Sequence, residues 1–378
     1  MPKSNLTPLQ QRLTQETWDP LAYSKLAFTM AARAAKYTGH YLARKTPKAQ
    51  TFRIGVNVAM LYPAVEYLSL RQYRAFMSTA LRLVDWRAGL GSEAKRAQWA
   101  VPTRGEGWQG YWIPFQDHKK TPTTISDIPV GTGCDIVVLA SHGGGFMTGH
   151  ALMFLNYFRR WMKSAQEHQN IRIGIVSVEY GLSPENPFPV AMNEMTAAYK
   201  DLVKIHGVES GRIVLFGDSA GGNIALGTTL SLRDGYSELG SPAGHILVCP
   251  WVRNLEPLQN SLFDVVSEIG CQIYAEAYTQ NNPETIMCAY TSPFSAPTLA
   301  GLSPMLIFIG GVEILRPSIE QFVEKAQKDG VEVKTVVGEG RAHNYFLLDD
   351  ISTKKDRQEA YFAMSEFVSD IHRYFKPT

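Results

Sequence analysis

Arg212-Ile-Val-Leu-Phe-Gly-Asp-Ser-Ala-Gly-Gly-Asn-Ile-Ala-Leu226 is the stretch of sequence that says most about the fold. Its first residues form an apolar run that predicts a buried strand, and a helical pattern follows from Asn223 to Leu232. The turn between them, Gly217-Asp218-Ser219-Ala220-Gly221, matches G-x-S-x-G. A sharp strand-to-helix turn of this kind lifts a serine hydroxyl clear of the sheet, where it can act as a nucleophile.

The glycines of this turn have a steric reason. The backbone is strained there, and a side chain two residues before or after Ser219 would collide with its neighbours, so Gly217 and Gly221 are expected. The helix that starts behind Ser219 places partial positive charge near a developing anion. The alternative, a glycine-rich turn with an incidental serine, is disfavoured by the strand before it and the helix after it.

Further apolar runs, each followed by a turn signal and a helical stretch, lie on both sides of this turn. They cover residues 110–114, 135–140, 171–178, 244–249, 305–309 and 331–337. This alternation predicts an α/β protein with a mostly parallel sheet flanked by helices, in which the first run is an antiparallel strand. The first hundred residues carry helical patterns, for example from Pro20 to Lys36 and from Leu68 to Trp86.

The spacing of the runs also predicts the domain organisation. The long gap between Cys249 and Met305 exceeds one crossover helix, and a structureless loop of that length is uncommon, so it predicts an inserted segment. We therefore expect a helical cap segment at residues 1–100, the first part of the core at 101–253, a cap insertion at 254–297 and the second part of the core at 298–378.

A second glycine-rich turn follows the predicted strand at 135–140. It reads His142-Gly143-Gly144-Gly145-Phe146. Attack on an ester carbonyl places negative charge on its oxygen, and consecutive glycines let backbone N–H groups converge on that oxygen. The turn therefore predicts an oxyanion hole, with His142 in a structural role because the catalytic base should come last in the chain.

The base and its acid follow from chain order. In α/β-hydrolases the nucleophilic serine is followed by Asp or Glu and then by His. His343 lies in a loop after the last predicted strand, whereas His372 lies in a terminal amphipathic helix, so His343 is the predicted base. Glu313 follows the penultimate strand and is the predicted acid that orients the imidazole, with Glu320 as its rival.

Bulk composition excludes some functions. The 37 basic and 35 acidic residues give a net charge of +2, which offers no electrostatic argument for nucleic acid. Four cysteines without a CxxC pair favour a reduced compartment, with two disulfides as the alternative. The N-terminus has no apolar signal core, which predicts an intracellular, cytoplasmic protein. Ile54 to Leu70 is apolar but interrupted, and it is read as a buried or interfacial cap helix; it is the one hint of contact with a membrane surface.

From Trp108 to Phe375 the chain resembles the hormone-sensitive lipase family of esterases, which includes arylacetamide and steryl deacetylases. The motifs that carry the resemblance are His142-Gly-Gly-Gly145, Glu179-Tyr-Gly-Leu-Ser-Pro-Glu185, Pro187-Phe-Pro189, Gly217-Asp-Ser-Ala-Gly-Gly222, Pro250-Trp-Val252, Gly311-Val-Glu313 and His343. Where the family often has arginine, the chain has Gly181. The acid motif of the family often ends in further aspartates, where this chain has Arg316-Pro317. After the catalytic histidine the family commonly has glycine, where this chain has Asn344.

The resemblance implies an α/β-hydrolase fold in which the N-terminal helices and the insertion form a cap. It implies the catalytic residues Ser219, Glu313 and His343. It implies an oxyanion hole from the N–H groups of Gly144, Gly145 and Ala220. His142, Gly143, Gly217, Asp218 and Gly221 then support these motifs, and neither a metal nor an organic cofactor is expected.

The predicted substrate is a small-molecule ester with a short or medium acyl group, or an acetyl group, on an apolar alcohol. Apolar cap residues are candidates for the pocket lining: Trp18, Phe28, Tyr62, Phe76, Trp86, Phe263, Tyr274 and Tyr278. The same triad serves lactone or amide hydrolysis and acyl transfer. A ligand receptor is disfavoured because His343 is present, an interfacial lipase would need a large exposed apolar surface, and the oligomeric state is open.

Overall fold

One eight-stranded sheet forms the centre of the computed structural model, which describes residues 19–61, 64–116, 129–254 and 258–375. The strands are β1 Val101–Gly105, β2 Trp108–Ile113, β3 Ile136–Ser141, β4 Ile173–Val178, β5 Ile213–Asp218, β6 Gly244–Val248, β7 Met305–Gly310 and β8 Val333–Gly338. Their order is β1-β2-β4-β3-β5-β6-β7-β8, and β2 is antiparallel to both of its neighbours while the remaining pairs are parallel. The predicted fold is confirmed.

The core lies on both faces of this sheet. Successive residues of a strand point to opposite faces, so Val137 and Leu139 pack in one buried cluster while Val138 and Ala140 pack in the other. Helices α7 Val190–Lys204, α8 Ala220–Gly235 and α11 Arg316–Lys328 cover the first face. Helices α6 Leu155–Gln169 and α12 Lys354–Phe375 cover the second. Burial on both faces explains the nearly continuous apolar runs.

The N-terminal segment is helical, as predicted. Its helices are α1 Pro20–Leu42, α2 Phe52–Leu61, α3 Ala64–Tyr67, α4 Leu70–Arg87 and α5 Glu93–Arg96. Asp19 caps α1 by accepting the N–H of Leu21 at 2.9 Å. Ser69 and Gln72 form a reciprocal capping box at the start of α4. These caps satisfy amide groups that the first turn of a helix leaves without a partner.

The insertion after β6 contains α9 Glu268–Thr279 and α10 Pro283–Met287. Ile273 and Ala277 of α9 share a buried cluster with Leu26 of α1, Val65 of α3 and Met147 of the core. The first hundred residues and the insertion therefore pack together next to the turn after β3. This packing supports the prediction of a single cap, whose exact boundaries stay a prediction.

Two details differ from the sequence-based expectations. Strand β1 was not predicted, because its Val-Pro-Thr-Arg-Gly sequence has little apolar character and it lies at the sheet edge, where one face is exposed. The apolar stretch 54–70 forms α2, α3 and the first residue of α4 instead of one helix, and residues 62–63 between them lie outside the described residues. Of the described helices, none is long and apolar enough to span a membrane.

Candidate active site

Ser219 stands at the turn between β5 and α8. Its backbone adopts φ 52° and ψ −119°, a region that non-glycine residues rarely occupy and that costs about 1–3 kcal/mol. The N–H of Ser219 donates to the carbonyl of Val248 at 2.9 Å, and its own carbonyl accepts the N–H of Trp251 at 3.0 Å. Ser219 is partly exposed between a buried Asp218 and a buried Ala220, so the turn presents this one side chain.

The two glycines of the turn are required by close backbone contacts. A Cβ on Gly217 would lie 2.3 Å from the carbonyl oxygen of Gly221, and a Cβ on Gly221 would lie 2.2 Å from that of Ser141. Both distances are far below van der Waals contact with backbone atoms that cannot move aside. The steric reason given for these residues at the sequence level therefore agrees with the geometry.

Glu313 and His343 meet at the ends of β7 and β8. Nδ1 of His343 lies 2.6 Å from Oε2 of Glu313, and both side chains are buried. The N–H of Gly310 donates to the other carboxylate oxygen of Glu313 at 2.6 Å and so orients it. Burial opposes the charged imidazole, but the hydrogen bond and negative charge of Glu313 outweigh burial, so the pKa of His343 lies above its ordinary 6.5.

The loop of His343 is tied directly to the turn of Ser219. Nδ2 of Asn344 donates to Oδ2 of Asp218 at 2.7 Å. Each of these two residues adjoins a predicted catalytic residue. The bond therefore holds His343 and Ser219 together at the carboxyl ends of the strands. Asn344 has φ 55°, a left-handed conformation that glycine adopts readily and that Asn tolerates better than most residues.

Asp218 also holds the glycine-rich turn after β3. Its Oδ1 accepts the N–H of Gly143 at 2.7 Å, and burial raises the pKa of its carboxyl to about 6. Gly144 and Gly145 have φ of 109° and 62°. Within the described part of the chain, no acceptor contacts the N–H groups of Gly144, Gly145 and Ala220. Unpaired amide groups beside the serine turn are what an oxyanion hole requires.

His142 is part of the scaffold of this turn. Its ring stacks on Tyr180 with centroids 4.2 Å apart, and Nδ1 lies 2.7 Å from the carbonyl oxygen of Gly143. The hydroxyl of Tyr180 donates to the carbonyl of His142 at 2.7 Å. Burial lowers the pKa of His142 to about 4, so the ring is neutral near pH 7 and can donate from Nδ1. These contacts agree with the structural role expected for His142.

Asp264 of the insertion is a site residue that the sequence analysis missed. Its side chain is fully buried; Oδ1 accepts the N–H of His343 at 2.9 Å and Oδ2 accepts the N–H of Ile314 at 2.8 Å. Burial raises the pKa of this carboxyl to about 6. Asp264 thus joins the cap insertion to the loops of both Glu313 and His343. The only signal in the sequence is a lone acid in the apolar run Leu-Phe-Asp-Val-Val.

Glu313 and His343 also have a thiol beside them. Ligand-type atoms of Cys249, Glu313 and His343 lie within 4.8 Å of one another, so they form a group that could in principle hold a metal. The Glu313 and His343 atoms already share a hydrogen bond, and burial raises the pKa of the Cys249 thiol, which accepts the N–H of Asn344 at 3.3 Å. This chemistry fits a proton-transfer pair with a neutral thiol neighbour better than a cation site.

The rival residues lie elsewhere. Nε of Arg316 donates to Glu320 at 2.7 Å on the partly exposed surface of α11. His372 is on α12 and faces Asp135 at the start of β3: burial raises the pKa of that carboxyl, but the hydrogen bonds and charge of Arg172, with a smaller contribution from His372, lower it overall. The start of β3 lies at the amino ends of the parallel strands, whereas Ser219 lies at their carboxyl ends. Neither Glu320 nor His372 therefore reaches the cluster of Ser219, Glu313 and His343.

Cap aromatic rings cover one side of the glycine turn. A Cβ on Gly145 would lie 2.5 Å from the ring of Tyr274, whose hydroxyl bonds that of Tyr73 of α4 at 2.7 Å. Next to them, Phe146 stacks on Tyr278 with centroids 3.8 Å apart. Two other proposed pocket residues are placed differently: Phe28 and Trp86 are 77% and 71% exposed on the outer surface, so they do not line a pocket. Trp18 and Tyr62 lie outside the described residues.

The comparisons with known proteins agree with this geometry. The model of the alpha/beta hydrolase fold family matches residues 138–347. An esterase of Acinetobacter venetianus is 27% identical over 233 residues, which are 61% of this chain and 73% of the esterase. An acetyl-hydrolase of Streptomyces hygroscopicus is 27% identical over 204 residues, which are 49% of this chain and 64%, slightly under two thirds, of that protein.

Solved structures share the fold. A crystal structure of an esterase from the bacterial hormone-sensitive lipase family has a TM-score of 0.64 at 22% identity and covers 94% of this chain and 100% of that chain. The family match spans more than half of the chain, and it includes the turns of His142 and Ser219 and the loops of Glu313 and His343. The chain belongs to the α/β-hydrolase fold family, and its motifs resemble those of the hormone-sensitive lipase group of carboxylesterases.

Proposed function

We propose that the chain hydrolyses carboxylic esters through an acyl-enzyme formed on Ser219. The hydroxyl oxygen of Ser219 attacks the ester carbonyl carbon while His343 takes the hydroxyl proton. His343 then gives that proton to the leaving alcohol. Glu313 keeps the imidazole in the tautomer that this transfer needs. The N–H groups of Gly144, Gly145 and Ala220 stabilise the anionic oxygen, and a water then hydrolyses the acyl-enzyme by the same steps.

The buried bond of 2.6 Å between Glu313 and His343 is the observation that carries this proposal. A bond between a buried carboxylate and an imidazole raises the basicity of the imidazole, which a general base needs. The hydrogen bond from Asn344 to Asp218, which joins the loop of His343 to the turn of the partly exposed Ser219, supports the proposed triad. A receptor that only binds a ligand has no use for this pair, so catalysis is favoured over the receptor alternative.

The preferred acyl group is short, and acetyl in particular. The ring of Tyr274 lies against Gly145, in the oxyanion turn itself, and the stacked pair of Phe146 and Tyr278 fills the adjoining space. Because these rings lie against the glycine-rich turn, we infer that a short acyl group fits there better than a long one. The apolar character of the same rings supports an apolar alcohol, and one relative carries the name acetyl-hydrolase.

The test compares the parent chain with Ser219→Ala on p-nitrophenyl acetate, butyrate, octanoate and palmitate. Loss of a triad residue lowers turnover by at least about a thousandfold, and the parent rate should fall steeply from butyrate to octanoate. Ser237→Ala, an exposed serine just beyond the end of α8, is the matched control and should keep the parent rate. Equal rates of parent and Ser219→Ala on every ester would refute Ser219 as the nucleophile, and a rate that rises toward palmitate would refute the short acyl group.

A further inference from the structure

The small net charge of the chain conceals a strong separation of charge. Residues 1–100 contain 15 basic and 5 acidic residues, whereas residues 101–378 contain 22 basic and 30 acidic residues. Residues 20–65, which include α1 and α2, contain seven basic residues and no acidic residue. The first hundred residues are therefore strongly cationic and the remainder of the chain is anionic, a feature that the overall value of +2 does not reveal.

Most of the cations of residues 20–65 point to solvent. Arg33 is turned inward and donates to the carbonyls of Ala59 and Ser261, at 3.2 Å each. The other six are exposed, and in the described residues none of them has an ion-pair partner; these are Lys25, Lys36, Arg44, Lys45, Lys48 and Arg53. Their charge is thus available to an external partner.

Large apolar side chains are exposed on the same two helices. Phe28 and Leu42 of α1 are 77% and 78% exposed, and the rings of Tyr41 and Phe52 lie 5.1 Å apart where α1 leads into α2. Along α1 the exposed positions recur at helical spacing, so apolar and basic residues share one stripe. Its members are Leu21, Lys25, Phe28, Ala32, Lys36 and Leu42. We call this stripe, together with residues 41–53, the N-terminal face.

We propose that the N-terminal face docks on the surface of a membrane that contains anionic lipids. Exposed Phe and Leu side chains enter the boundary between headgroups and acyl chains, while Lys and Arg keep their charged ends among the phosphates. Apolar insertion and basic attraction together make a stable contact where either alone is marginal. This mode of docking lays the helices on the surface.

The charge of the face favours lipid over a second copy of the chain. A symmetric pair would place the same face of each copy against the other. Because residues 20–65 contain no acid, such a pair would bring uncompensated cations together, which costs free energy. An anionic lipid surface supplies the opposite charge over the whole face.

The experiment is co-sedimentation of the full chain with vesicles of phosphatidylcholine, with and without phosphatidylserine. We expect binding only when phosphatidylserine is present, and release when NaCl is raised from about 0.05 M to about 0.5 M, because salt screens exposed charges. The triple variant Lys45→Glu, Lys48→Glu and Arg53→Glu should weaken binding at least about tenfold, since each cation near the surface contributes appreciably. Phe28→Ser with Leu42→Ser should weaken binding as well.

The matched control is Arg104→Glu with Lys204→Glu and Lys354→Glu. These residues are exposed outside the N-terminal face and change the net charge by the same amount. The control should bind vesicles within about twofold of the parent, and all variants should keep the parent rate on p-nitrophenyl acetate, which verifies folding. Equal binding to both kinds of vesicle, no binding by the parent, or equal loss in the control would overturn the proposal. So would a dimer in sedimentation velocity that Phe28→Ser dissociates while vesicles are not bound.

Discussion

At the scale of single residues, the carboxylate of Asp264 connects three parts of the site. It accepts N–H groups from the His343 loop and from Ile314, next to Glu313, while its own backbone belongs to the cap insertion. Its negative charge adds to those of Glu313 and Asp218 in raising the pKa of His343, and the fourth titratable neighbour, Cys249, is a thiol with a raised pKa. Asp264 is therefore a positioning residue that also raises the pKa of His343, the proposed base.

Asp264→Asn tests this role. The amide has one acceptor oxygen, so one of the two loops loses its partner, and we expect a fall in kcat of about 10–100-fold with little change in KM. His343 must be neutral to act as a base, so kcat/KM rises with pH through the pKa of His343. Loss of the Asp264 charge disfavours the imidazolium, so this rise should move to lower pH.

The control for this variant is Asp85→Asn. Asp85 is a buried acid of α4 that pairs with Arg96 at 3.6 Å, away from Ser219. The Asp85→Asn variant should change the melting temperature without moving the pH profile of kcat/KM. If Asp264→Asn leaves the pH profile of kcat/KM where the parent has it, Asp264 serves packing alone. If Ser219→Ala is inactive while Asp264→Asn keeps the parent pH profile, the proposed triad stands and only the proposed role of Asp264 is refuted.

At the scale of elements, the strand–turn–helix unit depends on how closely its backbone segments approach. Gly221 lies in the first turn of α8 against the carbonyl of Ser141 on β3. Gly221→Ala should therefore displace the turn and lower both kcat and the melting temperature, because neither backbone can yield. Gly235→Ala at the other end of α8 meets no atom within 4 Å and should be neutral or slightly stabilising. Similar melting curves and rates for both variants would contradict the steric argument.

At the scale of the whole molecule, Arg74 of α4 fastens the cationic N-terminal segment to the anionic core. Its guanidinium donates to the carbonyls of Met147 and Ser183 at 3.0 and 2.8 Å and to Glu185 at 2.7 Å. Met147 directly follows the glycine-rich turn of the proposed oxyanion hole, so Arg74→Met should lower the free energy of unfolding by about 1–3 kcal/mol and also lower kcat. Arg87→Met, on the same helix, breaks only an exposed pair with Asp350 at 3.3 Å and should cost under about 1 kcal/mol. If chemical denaturation shows the same loss of unfolding free energy for Arg74→Met and Arg87→Met, the carbonyl contacts of Arg74 add no stability beyond that of an exposed ion pair.

Local sequence was sufficient to predict most of the elements and to name the candidate catalytic residues. The apolar runs predicted seven of the eight strands, since strands buried on both faces leave a continuous apolar signal. The edge strand β1 was not predicted, because its exposed face carries no apolar signal. Ser219, Glu313 and His343 could be named as candidates from motif and chain order, and the motif glycines Gly217 and Gly221 are set by close local backbone contacts.

Long-range contacts were decided only by the tertiary structure. Asp264 lies 79 positions before its partner His343, and Asn344 lies 126 positions after Asp218, so no window of sequence contains either bond. The outward direction of Phe28 and Trp86, predicted as pocket candidates, depends on which side of each helix meets the rest of the cap. Sequence determined what each segment becomes, because propensity and sterics act between neighbours in the chain. Tertiary structure decided which segments meet and which face stays exposed, because burial and hydrogen bonding act between residues that are close in space and distant in the chain.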